Sequence, residues 1–209
     1  NWQQFICQDL IEAIESNYRC KKGWENRAIV GHSSGGDCVL KTLLLTPKIF
    51  KHGFAMSAPG IDASSSNFIK EIYEQQFESL QQVNLAKKNI ESLDIWAHII
   101  LSNLQIACPD ENNTQLYCKF PLDIIDWKQF ENENHTQRYH TNKTNLEGVN
   151  LALDVGLKED FLDKTRGFVK QIEADGYAVK LFEFDGGHVD HMDKSMLYVL
   201  SYISDCFSQ

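Results

Sequence analysis

The chain has 209 residues, 43% of them hydrophobic and 23% charged, and a formal net charge of -9. That length suits one domain with room for a small insertion, and the composition is that of an ordinary globular protein. The acidic balance argues against nucleic acid as the main partner, and no apolar run is long enough to cross a bilayer, the longest (Trp96 to Leu104) being broken by His98, Ser102 and Asn103.

Taken in chain order, Trp2 to Asn17 reads as an amphipathic helix, with Phe5, Ile6, Leu10, Ala13 and Ile14 at helical spacing. Cys20 to Glu25 is a polar connection. Arg27 to Gly36 then reads as a short apolar strand, a tight turn of the form G-x-S-x-G, and the start of a helix running to Leu45 and stopped by Thr46-Pro47. Such a strand-turn-helix is the nucleophile elbow of a serine hydrolase, with Ser33 at its tip. Gly31 and Gly35 are both expected to be required there, since a Cβ at either position would crowd neighbouring backbone. The helix N-terminus favours negative charge developing beside Ser33. The competing reading is an ordinary glycine-rich turn of another α/β protein.

Phe54 to Ala58 is expected as a short strand closed by Pro59-Gly60. Asn67 to Leu85 and Ile90 to Leu104 read as helices, and Ile106-Ala107 as a brief strand. Pro109 to Asn145 is the least regular region: polar, with aromatics at Tyr117, Phe120, Trp127, Phe130 and Tyr139. A loop this long is uncommon unless functional. It reads as an insertion or cap bordering a substrate pocket, against an excursion without a role. Trp127, Phe130 and Tyr139 suit an apolar or sugar-stacking wall and suit core packing equally. Val149 to Val155 is a strand ending at Gly156, Phe161 to Ala174 a helix, Tyr177 to Phe184 a strand, Asp185 to His188 a loop, and Ser195 to Phe207 the closing helix. Strands alternating with helices predict an α/β fold, a mainly parallel sheet with helices on both faces.

A serine hydroxyl needs a base to take its proton and a carboxylate to orient that base. In the α/β-hydrolase arrangement these follow in the order Ser, acid, His, each after a strand. His188, beyond a strand and two glycines, is the base candidate, with His191 as competitor. The acid follows the Leu151 to Val155 strand, as Glu159 or Asp160; Asp154, inside the strand, is better placed for structure. A metal site of Asp185, His188, Asp190 and His191 is the alternative by residue type, but it supplies no distant ligand and leaves the elbow unexplained.

With these residues assembled, the chain resembles the esterase family of α/β hydrolases that includes S-formylglutathione hydrolases (esterase D), enterochelin esterases, feruloyl esterases and the antigen 85 mycolyltransferases. The matching pieces are Asn26 to Gly36, Pro47 to Pro59 with Phe50 and Ser57, Leu153 to Leu162, and Phe184 to His188; the helix Phe5 to Tyr18 is also similar. The resemblance implies an α/β-hydrolase fold with Ser33 as nucleophile and His188 as base. It puts the acid three residues past the strand-ending glycine, at Glu159, with Asp160 as fallback, and assigns Ser34 an oxyanion-hole N–H. The family carries strands before the elbow that this sequence lacks. Either a fragment of a longer chain or an enzyme that has lost part of its sheet is the expectation that follows, weakly active or poorly stable alone.

The implied reaction is hydrolysis of a small-molecule carboxylic ester or thioester through an acyl-enzyme, with no metal or organic cofactor. An acyltransferase with the same triad and a catalytically incompetent binding module on a hydrolase scaffold are the rivals. The six cysteines form no C-x-x-C pair. Cys108 and Cys118 could close a loop in an oxidising compartment. The N-x-T sequons at Asn112, Asn134 and Asn142 lie in an Asn-rich region where chance produces them. No signal peptide is legible, which leans to the cytoplasm over the periplasm or exterior, and the oligomeric state is not encoded in any feature noted here.

Overall fold

A computed structural model describes residues 2–61, 64–86, 90–131, 134–190 and 192–208. The N-terminal segment is helical in three pieces: α1 (Trp2–Gln4), a π-helical turn (Phe5–Asp9) and α2 (Leu10–Asn17). Arg27 ties α2 down through two hydrogen bonds to Glu15 Oε1, at 2.9 and 2.6 Å. Next come β1 (Ala28–His32), α3 (Ser34–Leu45), β2 (His52–Met56), α4 (Ser64–Ala86), α5 (Ile95–Ala107), α6 (Ile124–Glu131) and α7 (His135–Asn142). The chain closes with β3 (Asn150–Gly156), α8 (Leu162–Ala174), β4 (Val179–Phe184) and α9 (Met192–Phe207). Among the described residues no helix is long and apolar enough to cross a membrane.

The four strands form one sheet in the order β1-β2-β3-β4, every pair parallel. The period-two alternation of side chains decides which helix each strand residue meets. Gly53, Ala55, Leu151, Leu153 and Leu181 face α3 and α8, where Val39, Leu43, Phe168 and Ile172 cover them. Phe54, Met56, Ala152 and Phe182 face the opposite side, against Val199 and Tyr202 of α9. Helices therefore lie on both faces, as the α/β pattern predicts. The inner strands β2 and β3 are buried almost throughout, while β1, an edge strand, leaves Val30 half-exposed. Phe54 is the centre of the α9 face, with Phe182, Tyr198 and Tyr202 rings 5.6, 6.1 and 5.7 Å away.

Two compact units divide the chain: residues 1–61 with 138–209, holding the sheet, and residues 62–137, whose described residues form helices and one isolated antiparallel bridge between Pro109 and Cys118. The second unit has its own apolar cluster of Tyr73, Leu80, Ile100, Leu104, Leu116 and their neighbours. Several local readings change here. The helix expected from Ile90 breaks after a 3-10 turn (Ile90–Ser92), because the Asp94 side chain accepts the Ala97 N–H at 2.8 Å and starts α5. Ile106-Ala107 is not a strand; it finishes α5, whose buried face (Ala97, Ile100, Leu104, Ala107) continues through it. The Pro109–Asn145 region contains α6 and α7.

Trp127 packs edge-on against Tyr73 at 5.3 Å in the second unit's cluster. Tyr139 is fully buried in the first unit's core, with its hydroxyl donating to Asp175 at 2.7 Å, so it is a core residue and no pocket wall. The side chain of Phe130 lies outside the described residues. Cys108 and Cys118 are buried thiols and not a disulfide; the Cys108 thiol donates to Asp126 O at 3.7 Å, and burial pushes the Cys118 thiol up to about 12, which keeps it protonated.

Candidate active site

The site collects at the C-terminal ends of β1, β3 and β4. Chain geometry at the elbow comes first. Ser33 follows the last residue of β1 and precedes the first of α3, with φ 58° and ψ -122°. A non-glycine residue in such a region carries strain of about 1–3 kcal/mol and persists only where its surroundings hold it. Here the Ser33 N–H donates to Met56 O at 2.9 Å, and Ser33 O accepts from the Asp37 N–H at 3.1 Å. The turn is so tight that a Cβ on Gly31 would lie 2.3 Å from Gly35 O. Gly35 itself does not need to be glycine for space: beyond its chain neighbours and its own helix backbone, no described atom lies within 4 Å of where its Cβ would be. The contact is one-sided, since the Gly31 position presses on the Gly35 backbone and not the reverse. Gly36 is the second crowded position, with Met56 O 2.8 Å from its built Cβ.

The acid and base loops are laced together by main chain. The Leu157 N–H donates to Phe184 O at 2.9 Å and the Lys158 N–H to Gly186 O at 3.0 Å. Gly156 permits this approach: a Cβ there would meet Gly186 O at 2.3 Å. The turn after β3 then closes on itself, as Glu159 Oε1 accepts the Gly156 N–H at 2.8 Å.

These constraints bring three predicted residues together. His188 Nε2 lies 2.8 Å from Ser33 Oγ, and His188 Nδ1 lies 3.0 Å from Glu159 Oε2. A carboxylate accepts only, so Nδ1 carries the proton and Nε2 presents its lone pair to the serine hydroxyl. The Glu159 side chain is 1% exposed and that of His188 39%, so the acid is sealed from solvent while the base is partly exposed. Asp160, the fallback acid, is exposed on the adjoining turn and is not part of this chain of bonds. Ser34 is the first residue of α3, so its N–H belongs to the helix's unpaired first turn beside Ser33 Oγ.

The residues of the metal alternative are occupied otherwise. Asp185 pairs with Lys158 at 3.2 Å, Asp190 accepts the Gly187 N–H at 2.7 Å, and His191 lies outside the described residues. Among the described residues no three His, Cys, Asp or Glu side chains group as ligands for an ion.

Supporting residues emerge that the sequence reading did not single out as such. His32 Nε2–H donates to His188 O at 2.8 Å, and its ring lies 4.9 Å from that of His188; the Phe161 ring also meets His188, edge-on at 6.0 Å. Ser57, just past β2, donates its hydroxyl to Glu159 Oε1 at 2.7 Å. Asp154 accepts the Ser57 N–H at 2.8 Å and the Tyr198 hydroxyl at 2.8 Å, and burial raises its pKa above the ordinary carboxylate value. In the order β1-β2-β3 the residue after β2 sits between the ends of β1 and β3, a position set by the assembled sheet and by no local sequence signal.

The family described as Putative esterase matches residues 1–189. The chain belongs to this esterase family. Solved structures similar to this chain include a ferulic acid esterase (17% identical, TM-score 0.58, covering 96% of this chain and 59% of that one). The S-formylglutathione hydrolase of Staphylococcus aureus is 13% identical with TM-score 0.59, over 97% of this chain and 63% of that one. A fluorophosphonate-binding serine hydrolase of the same organism is 11% identical with TM-score 0.56, over 93% and 60%. At these identities the likeness is one of fold. The chain spans about 60% of the length of these structures. A sequence comparison with characterised proteins yields no match.

Proposed function

We propose that the chain hydrolyses a small-molecule carboxylic ester or thioester through an acyl-enzyme on Ser33. The observation that carries this reading is the double engagement of His188, 2.8 Å from Ser33 Oγ on one ring nitrogen and 3.0 Å from Glu159 on the other. His188 Nε2 takes the hydroxyl proton as Oγ attacks the carbonyl carbon, and the carbonyl π electrons move onto oxygen. The oxyanion sits at the N-terminus of α3, where the Ser34 N–H donates to it. His188 then returns the proton to the leaving alcohol or thiol as the C–O or C–S bond breaks. A water molecule, deprotonated by the same nitrogen, attacks the acyl carbon and releases the acid and free Ser33. Glu159 keeps Nδ1 protonated throughout and stabilises the imidazolium. The steps call on no metal or organic cofactor.

Ester and thioester are the bond types named for two of the similar structures, and family membership supports the same class. The test is hydrolysis of p-nitrophenyl acetate and butyrate, with fluorophosphonate labelling, by the chain and its Ser33→Ala variant. Turnover and labelling should both vanish in the variant. A folded wild-type chain that neither turns over nor labels refutes the proposal.

A further inference from the structure

Glu159 can orient His188 only if its own carboxylate is held. Two groups hold it at Oε1: the Gly156 N–H of its own turn at 2.8 Å, and the Ser57 hydroxyl at 2.7 Å. The Gly156 bond is local and fixes the turn. The Ser57 bond crosses 102 residues of sequence and ties Glu159 to the end of β2, the strand between β1 and β3.

Ser57 is an unusual place for a non-glycine side chain. It is almost completely buried and its φ is 45°. Glycine would suit that backbone better and would occupy less space. What glycine lacks is the hydroxyl. The conformation is itself anchored: the Ser57 N–H donates to Asp154 Oδ1 at 2.8 Å, and Asp154 Oδ2 accepts from Tyr198, whose hydroxyl lies 2.7 Å from Ser195 Oγ. A buried polar chain thus runs Ser195, Tyr198, Asp154, Ser57, Glu159, His188, Ser33. Buried carboxylates demand such partners, but Ser57 alone in the chain touches both carboxylates.

We infer that Ser57 is a positioning residue for Glu159: its strained backbone, locked by Asp154, aims the hydroxyl that sets which way the carboxylate faces His188. The inference rests on the reading of Ser33, His188 and Glu159 as the reacting set.

The experiment compares wild type with Ser57→Gly and Ser57→Ala. Glycine removes the hydroxyl while relaxing the backbone, so folding is kept; alanine removes the hydroxyl at unchanged strain. Three readouts are taken: thermal unfolding, kcat and KM for a p-nitrophenyl ester, and the low-field proton resonance of His188 Nδ1–H bonded to Glu159, assigned by its loss in Glu159→Gln. Both variants should lose ten- to a hundredfold in kcat with KM changed less than twofold, and the resonance should broaden or disappear although Ser57→Gly unfolds no earlier than wild type. Either variant retaining kcat within threefold with the resonance in place overturns the inference. So does loss of cooperative unfolding in both, which makes Ser57 structural, or an effect confined to KM. The resonance needs no turnover, so it judges Ser57 by itself. Ser33 unlabelled by a fluorophosphonate in folded wild type is a failure of the functional reading instead.

Discussion

Replacing Glu159 by Gln separates the two acid candidates, and the structure sets the size of the effect. The amide can face His188 with either end. With its oxygen toward Ser57 and Gly156, it keeps both of those donors, at 2.7 and 2.8 Å in the wild type. Its NH2 then meets Nδ1, which must accept, so the imidazole proton moves to Nε2 and faces Ser33 with no lone pair to act as base. The opposite orientation restores the working tautomer but sets an NH2 against the buried Gly156 N–H. An unsatisfied buried donor costs about 1–3 kcal/mol, so the working orientation is populated in only about one molecule in 5 to 150, as each 1.4 kcal/mol is tenfold. Even that minority lacks the charge that stabilises the imidazolium. A serine-protease triad loses about 10⁴ in kcat on the equivalent change, and a fall of about 10³ to 10⁴ in the fluorophosphonate labelling rate of Ser33 is expected here. Asp160→Asn, altering an exposed carboxylate one residue away, should leave the rate within twofold. Glu159→Gln that folds normally and labels within tenfold of wild type would refute the argument, and still more so if Asp160→Asn did not.

Three further outcomes are expected. Gly31→Ala should destabilise the fold by about 1–3 kcal/mol or more in urea unfolding, since backbone stands on both sides of the 2.3 Å contact. Gly35→Ala, with no described atom beyond its own helix within 4 Å, should be neutral or up to about 1 kcal/mol stabilising as a better helix former; equal losses at the two sites would contradict the geometry. Phe54→Ala should cost about 3–5 kcal/mol in the same assay, because three aromatic rings lose their common neighbour. His52 is buried, donates from Nε2 to Glu25 O at 3.2 Å and accepts from Asn150 at Nδ1 at 3.1 Å, and desolvation holds its pKa below 6.5. Below 6.5 the unfolded chain therefore binds the proton that the folded chain refuses: stability is complete above that pH and declines as pH falls toward the folded pKa. Unfolding curves of His52→Gln should show a flatter decline across that window, and an unchanged pH slope would remove His52 as its source.

How much of this was legible beforehand follows from how local each determinant is. The elbow was readable because strand, turn and helix start lie within ten residues, and their chemistry is that of neighbouring backbone. The glycine pattern misled at one point. G-x-S-x-G is symmetrical as a string, yet the Cβ–backbone contact it relieves has a direction, from Gly31 onto Gly35. Glu159 against Asp160 stayed open because adjacent acids look alike until the turn closes; the Gly156 N–H to Oε1 bond points Glu159 inward and leaves Asp160 outside. The helices α6 and α7 are not legible because each has only eight residues, too few to show a helical period, and Ile106-Ala107 misled because an apolar pair at a helix end has no period of its own.

Ser57 is the instructive case. Nothing within its own neighbourhood, Ala55-Met56-Ser57-Ala58-Pro59, distinguishes it from a turn serine. Its environment is made by the parallel register that sets Met56 beside His32 on one side and Asp154 on the other. That register places the first residue after β2 one step from the nucleophile's strand and one from the acid's. In a sheet ordered β1-β2-β3-β4, the strand between those carrying Ser33 and Glu159 has to end in something that can face both loops. A small residue with a donor, held in a conformation most residues avoid, meets that requirement, and only the assembled sheet makes the requirement visible.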